Sequence, residues 1–359
     1  MPSTPGNPYL DLLAGGLAEH GVRVDMARGA GHVLPFVAAS LGKRRPDVFH
    51  LHWTQPYLYW PRAGRPSPLL GWRLLAQLRL LRRRGIRIVW TLHNIAAHES
   101  DDPALETGLS RSIAELCNAL IVHCTAARDA ALAELGGSPA LAEKVHVIPH
   151  GNYIGAYPDD IAPAEARSRL GLDPGQRVFL FFGRLRRYKG AQDLLHAFRR
   201  LPGDHLRLVL AGRCRSDDVR REVERLARQD ERVLSRLEYV PDDDVQLYMR
   251  AADVAVLPFR DVLTSGSVVL AMSFGLPVVA PSLGCLPETL TGQAHLLYDA
   301  EDPNGLGRTL ELAMSADLSA IGASNRAAVE PLDWAGIGRQ TMERAYGVDT
   351  LVSEPAAGP

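Results

Sequence analysis

Two doubly wound α/β domains are the fold class that the sequence predicts. Three observations point there. Short apolar runs alternate with amphipathic helical stretches through both halves of the chain, the pattern of strand–helix units in a parallel sheet. Runs such as IRIV and VFLFF are apolar nearly without interruption, as in strands covered on both faces. A break in composition at residues 157–172, with Pro158 and Pro163, separates the halves. The 359 residues, 46% hydrophobic and 23% charged, suffice for two domains of ordinary soluble composition.

In the first half, DLLAGGLAEHG reads as a loop entering a helix, with Gly15 and Gly16 near its start. VRVDMA and FHLHW read as strands, the second carrying His50 and His52. TQPYLYWPRAGRPSP is too rich in proline for regular structure and reads as a loop. Residues 72–84 form an amphipathic helix ended by Gly85, and IRIVWTLHN is a strand with a polar tip. His93 and Asn94 fall at its C-terminal end, where open α/β sheets place ligands. A polar loop, AAHESDDP, leads to a helix over 104–117. ALIVHCT, the helix ARDAALAEL and the strand VHVIPHGNY complete this half.

The second half predicts strands VFLFF, LRLVLAG, SRLEYV, VAVLP and PVVAP. Helices QDLLHAFRR, DDVRREVERLARQ and DDVQLYMRAA lie between them, and a polar loop enters a helix in FRDVLTSGSVVLAMSFG. PNGLGRTLELAMS and WAGIGRQTMERAY are the last amphipathic runs. The domains expected are 1–157 and 158–333, a final helix over 334–346 returning to the first, and a flexible tail over 347–359.

Composition narrows the function. A formal net charge of -1 argues against a generic nucleic-acid binder. Yet residues 51–98 hold no acid, while Arg62, Arg65, Arg73, Arg79, Arg82, Arg83, Arg84 and Arg87 are basic. Such a face suits an anionic membrane or a phosphorylated acceptor, or simple solvation. No run approaches 18 uninterrupted apolar residues and the start lacks a signal pattern, so the expectation is a cytoplasmic protein, with peripheral contact at the inner face of the membrane left open. The four cysteines include no CxxC pair and their spacing fits no zinc cluster. No spacing argument makes His50, His52 and His98 a metal site, so none is expected.

The stretch that carries most chemistry is residues 181–190, FFGRLRRYKG. Gly183 permits a sharp turn or the close approach of an anion. Arg184 and Lys189 are placed to face that anion, and the next helix start adds unpaired N–H groups. Arg186 and Arg187 are weaker candidates.

With VIPHGN, AADVAVLPF, AMSFGLPVVAP, GCLPE and GQAHLLYDAEDPNGL, this stretch resembles the retaining, nucleotide-sugar-dependent glycosyltransferases of the GT-B fold, family 4 in the usual grouping. The resemblance runs from residue 7 to about 346. It implies two Rossmann-like domains facing across a cleft, the first binding an acceptor and the second a nucleotide diphosphate sugar. It implies that Arg184 and Lys189 stabilise the leaving diphosphate, without a metal or other cofactor. Thr264, Ser265, Gly266 and Ser267 match the helix start against the diphosphate and donor sugar, and Glu288 a region near the donor. His93 matches a histidine near the reacting sugar. His150, Gly151 and Asn152 match a turn lining the cleft, and Gly15 and Gly16 a flexible loop beneath the donor phosphates.

One departure stands out. Many members carry two glutamates eight positions apart; here those positions are Val262 and Leu270, with Asp261 adjacent to the first. The function implied is transfer of a hexosyl unit to a hydroxyl acceptor, either a lipid-linked saccharide for surface polysaccharide or a soluble metabolite. The alternatives are a hydrolase or epimerase acting on sugar phosphates or nucleotide sugars, and a non-catalytic carbohydrate- or nucleotide-binding subunit.

Overall fold

The computed structural model describes residues 8–26, 34–41, 45–59, 66–95 and 101–348. Arg62 and Arg65, His98 and the tail from 349 onward lie outside the described residues. The chain separates into two compact units. One comprises the residues up to Pro149 with those from Asp333 on; the other is His150–Leu332. The first crossing therefore comes at 149/150, ahead of the expected 157/158. The reason is local: the Asn152 N–H donates to the Leu332 carbonyl (2.8 Å) and the Tyr153 N–H to Ser273 Oγ (2.9 Å), both within the second unit.

The first unit has a parallel sheet in the order β1 (Val48–Leu51), β2 (Arg87–Thr91), β3 (Ala119–Val122) and β4 (Val145–Val147). Helix α1 is Tyr9–Ala18. The crossovers use α2 (Pro68–Arg83), α3 (Pro103–Leu116) and α4 (Thr125–Leu135). Sequential right-handed crossovers put those three on one face. Asp102 caps α3 by accepting from the Leu105 N–H at 3.0 Å, with Pro103 at the first helical position. The opposite face is covered by α1 and the closing helix Trp334–Gln340, which runs on into a π-helical turn, Thr341–Tyr346. Leu10, Leu13, Leu17, Ile337, Met342 and Ala345 pack there with Val89 and Ile121 of the sheet.

Two expectations for this unit are corrected. Residues 22–26 form no strand; Val24 is exposed and no neighbouring strand pairs with it among the described residues. The proline-rich loop contains a turn of helix, Gln55–Leu58, because Tyr57 and Leu58 are buried and Pro56 sits where no N–H is required.

The second unit has six parallel strands: β5 (Arg177–Phe182), β6 (Leu206–Ala211), β7 (Val233–Arg236), β8 (Val254–Val256), β9 (Val278–Pro281) and β10 (Leu297–Tyr298). Their order is β10-β9-β8-β5-β6-β7. Its helices are α5 (Ala191–Arg199), α6 (Asp217–Ala227), α7 (Val245–Ala251), α8 (Gly266–Ser273), α9 (Gly305–Ser315) and α10 (Leu318–Val329). Val178 to Phe181 are all within 1% of full burial, as a strand covered on both faces requires. Phe179, Phe181, Leu194, Leu195 and Phe198 join β5 to α5; each such side chain contributes about 1.5–3 kcal/mol by leaving water. The chain winds outward from β5 through β6 to β7, then returns to the other side of β5 for β8. The order reverses between β5 and β8, where doubly wound sheets place ligands beyond their C-terminal strand ends.

β10 and α10 were not legible as elements. β10 has two residues, and LSAIGASNRAAV has a weak apolar stripe. β7 begins ahead of SRLEYV and ends at Arg236.

Candidate functional site

At the reversal point, β5 ends and Gly183 (φ +127°) turns the chain into residues 184–186. A 3₁₀ turn, Arg187–Lys189, and Gly190 (φ +70°) then lead into α5. A Cβ on Gly190 would lie 1.9 Å from the Pro258 carbonyl oxygen, and the Arg260 N–H donates to the Tyr188 carbonyl at 2.7 Å. The turn after β5 is thus held against the loop after β8.

That second loop ends in Thr264 and Ser265, followed by α8. Ser265 caps α8 by accepting from the Val268 N–H at 3.4 Å. Lys189 Nζ donates to Ser267 Oγ at 3.5 Å and stands 5.1 Å from the Phe259 ring centroid. A Cβ on Gly183 would meet Ser267 Oγ at 3.1 Å. Gly183, Lys189 and Ser267 therefore share one spot at the start of α8. Its free N–H groups and macrodipole favour an anion there.

Lys189 is pushed down to about 8, first by burial and then by Arg186 and Arg184. Burial also lowers Arg184, with Arg215 and Arg186 adding to it. An anion bound here would oppose both effects and raise the Lys189 value. Binding of pyrophosphate at pH 8 is accordingly expected to take up protons, and affinity to fall as pH rises through about 8. Calorimetry in two buffers of different ionisation enthalpy checks this; K189A should show no uptake.

His150 is buried and its Nδ1–H donates to the Gly151 carbonyl at 2.7 Å, which fixes the tautomer. A Cβ on Gly266 would lie 2.9 Å from the Tyr153 hydroxyl and 3.6 Å from His150 Nε2. His150 and Tyr153 therefore face the first residue of α8, and glycine is needed there to admit them. Sequence reasoning missed Tyr153. Asn152 has a different duty. Its amide donates to the carbonyls of Val329 (2.9 Å) and Glu330 (3.2 Å), closing the end of α10. It holds this unit together.

Asp261 and Glu288 are exposed. Glu288 sits on a short helix, Leu286–Thr289, that follows Gly284, where a Cβ would lie 2.3 Å from the Val262 carbonyl oxygen. Val262 and Leu270 are each only 6% exposed, so apolar packing occupies the positions where carboxylates stand in many similar enzymes.

In the first unit, His93 lies just past β2 and is 9% exposed. Its Nε2 shares a hydrogen with His52 Nδ1 at 3.2 Å. Trp53 stacks on it at 4.5 Å and Tyr9 meets it edge-on at 5.0 Å. His123, past β3, donates from Nδ1 to the Ile148 carbonyl at 2.9 Å. His50 bridges Thr91 Oγ1 (2.8 Å) and the Tyr346 hydroxyl (2.9 Å). The C-terminal ends of β1, β2 and β3 thus carry an imidazole cluster; sequence reasoning placed His93 near the reaction, noted His50 and His52 on their strand without a role, and missed His123. The signal was HLH at the tip of β1, whose joining to His93 and His123 depends on strand pairing. Among the described residues, no three His, Cys, Asp or Glu are placed to hold a metal ion together.

Burial lowers His50 to about 3 and His123 to about 4, and pushes His52 well below its usual value, with His50 and His93 adding to it. Depressed histidines bind protons only after unfolding, so their stabilising effect is whole above about pH 6.5 and is lost as pH falls toward 4. Thermal melts from pH 7 to 4 should show this loss, with a shallower slope in H52N.

Gly15 and Gly16 both lie inside α1, which corrects their reading as a flexible loop. A Cβ on Gly15 would meet nothing within 4 Å. A Cβ on Gly16 would lie 1.9 Å from the Trp334 carbonyl oxygen, and one on Gly338 2.4 Å from the Gly16 carbonyl carbon. Gly16 lets two helices touch backbone to backbone, so its need for glycine comes from packing.

Residues 176–315 match the family model described as glycosyl transferases group 1. The GDP-mannose:glycolipid 4-beta-D-mannosyltransferase of Xanthomonas campestris pv. campestris is 30% identical over 317 residues, 85% of this chain and 82% of that one. The chain belongs to the group 1 glycosyl transferases. The D-inositol 3-phosphate glycosyltransferase of Corynebacterium efficiens is 27% identical, over 88% of this chain and 74% of its own length. Among solved structures, Anabaena HepE in complex with UDP and glucose superposes with a TM-score of 0.72 at 19% identity, covering 96% of this chain and 98% of that one. The two parallel-sheet units are those of a GT-B glycosyltransferase.

Proposed function

We propose that this glycosyl transferase moves a hexosyl unit from a nucleotide diphosphate sugar to a hydroxyl acceptor. One observation carries the reading: two cation-bearing and hydroxyl-bearing loops meet at the strand-order reversal, with Lys189 against Ser267 at the start of α8. Charge builds on the leaving diphosphate as the glycosidic bond breaks, and fixed cations and helix N–H groups stabilise it. Arg184, Lys189 and residues 264–267 would supply that field with no metal. Gly183, His150 and Tyr153 would shape the surroundings of the sugar. Asp261 is the carboxylate nearest in sequence to both absent glutamates, and Glu288 is the next one after them.

The resemblance favours retention at the anomeric carbon, with the leaving phosphate accepting the acceptor's proton. Inversion is the second reading, and two facts favour it. Val262 and Leu270 fill the usual carboxylate positions, and the Xanthomonas relative is named for a 4-β linkage. A binding panel of UDP-, GDP-, ADP- and dTDP-sugars, followed by the anomeric NMR coupling of the product, tests both. Turnover without an acceptor product would favour a hydrolase. Tight donor binding without any turnover would favour a non-catalytic subunit.

The acceptor proposed is a lipid-linked saccharide, reached from the cytoplasmic membrane face. The exposed face of α2 supports this. Leu69, Trp72 and Leu80 share it with Arg73, Arg79 and Arg83 at 100° per residue, and Leu69 and Trp72 are 64% and 65% exposed. An apolar strip among arginines, with no acid on the helix, suits anionic lipid. No helix among the described residues is long and apolar enough to cross a membrane. Sedimentation with phosphatidylglycerol vesicles should carry the protein down at low salt and less at moderate salt. W72A/R79A should weaken this. Failure to bind would favour a soluble metabolite as acceptor.

A further inference from the structure

The tips of β5 and β6 do not part where the sheet ends. Beyond them the Leu185 N–H donates to the Arg213 carbonyl at 3.0 Å, and Leu185 and Cys214 are paired in parallel register. Leu185 is 2% and Cys214 5% exposed, both facing the core they share with α5 and α6. In an extended pair, alternate residues point to opposite faces. The flanking residues are arginines on both tips: Arg184 and Arg186 around Leu185, Arg213 and Arg215 around Cys214. All four are exposed on the other face.

Their crowding is evident in Arg184, which burial, Arg215, Arg186 and Arg213 all disfavour as a cation. Lys189 likewise meets Arg186 and Arg184. Elsewhere in this unit many arginines are matched with carboxylates: Arg167 with Asp253, Arg232 with Asp230, Arg250 with Asp159 and Arg260 with Asp193. Among the described residues, Arg184, Arg186, Arg213 and Arg215 have no carboxylate within 4.0 Å. Like charges held together without counter-charge are costly until an anion arrives.

The count exceeds what the proposed donor needs. A nucleotide diphosphate sugar brings about two negative charges at neutral pH, and Arg184 with Lys189 already matches them. We infer that Arg213 and Arg215, with Arg186, form a second anion subsite beside the diphosphate seat, and that the donor bound there carries a further carboxylate or phosphate group. Guanidiniums suit either, since their forked N–H groups bind two oxygens at once. A carboxylate would sit on a uronic-acid sugar; a phosphate would sit on the nucleotide.

This rests on reading the spot at α8 as a diphosphate seat, and the experiment separates the two. Calorimetry on the full chain would compare pyrophosphate with tripolyphosphate, for wild type and R213Q/R215Q. Wild type should prefer tripolyphosphate by on the order of tenfold, shrinking with salt, and the variant should bind both alike while keeping its pyrophosphate affinity. Two further arms locate the extra group. UDP-glucuronate against UDP-glucose, and GDP-mannuronate against GDP-mannose, report a sugar carboxylate; UDP and GDP bearing a ribose 3′-phosphate against plain UDP and GDP report a nucleotide phosphate. An arginine-dependent preference in either arm supports the subsite and names its source. Pyrophosphate binding with no preference, or a preference that survives R213Q/R215Q, overturns the subsite and leaves the diphosphate seat standing. No binding of either inorganic anion overturns both. Because both side chains are exposed and make no ion pair among the described residues, the variant should melt with the wild type, and R215Q alone serves if the double variant does not.

Discussion

Replacing Arg184 and Lys189 together by alanine is expected to lower kcat by about a thousandfold, since removal of one fixed donor to a developing charge commonly costs about a hundred- to a thousandfold. The two act on the same leaving group from one turn, so the double variant should fall short of the product of the single effects. Arg184 is exposed and Lys189 half-buried, and neither takes part in an ion pair among the described residues. The melting temperature should therefore hold or rise slightly, since a crowded cation is removed. Transfer kinetics equal to wild type, at matched donor saturation, would sink the assignment of this turn as the diphosphate seat.

The second large effect is expected at Gly212, which lies far from any reacting atom in sequence terms yet fixes the site. Its φ of +136° is a region that side chains avoid, and a Cβ there would lie 2.0 Å from the Gly183 carbonyl oxygen. That contact is backbone, so no side chain can swing aside. G212A must push the tips of β5 and β6 apart. The Gly183 N–H bond to the Ala211 carbonyl (2.9 Å) and the Leu185–Arg213 bond would then be strained or lost. The expected cost is about 3 kcal/mol or more, from backbone strain together with overpacking. Denaturant unfolding measures it. A variant as stable as wild type, with unchanged pyrophosphate affinity, would mean that the tips tolerate separation.

Much of this was legible because it is local. VFLFF followed by glycine, cations and a helix gave β5, its turn and α5 from periodicity and turn chemistry. The cation pair and the hydroxyl-rich helix start were visible as residue types. Their meeting was not, because it depends on β8 pairing with β5 across an interval of some seventy residues. Tyr153 and the guanidiniums of Arg213 and Arg215 were missed for the same reason: each is placed by a partner distant in sequence. HLH on β1 offered a hint, but one imidazole reads as a satisfied core residue until its neighbours are known. Gly16 misled because a glycine demanded by packing against Trp334 leaves the same trace as one demanded by a loop. Asn152 looked outward in the sequence, whereas its amide is consumed by the end of α10.

The contact between Gly16 and the closing helix also governs the order in which the protein can be made. The first unit includes the residues up to Pro149 and those from Asp333 on, so its core lacks Ile337, Met342 and Ala345 until the whole second unit has been translated. The second unit is continuous and has all its strands by Tyr298. On the ribosome the later-encoded unit can thus be finished first, while the earlier one waits with the face of β2 and β3 uncovered. The waiting segment is the one that a chaperone would meet, and a stop codon just before Trp334 would leave it waiting permanently.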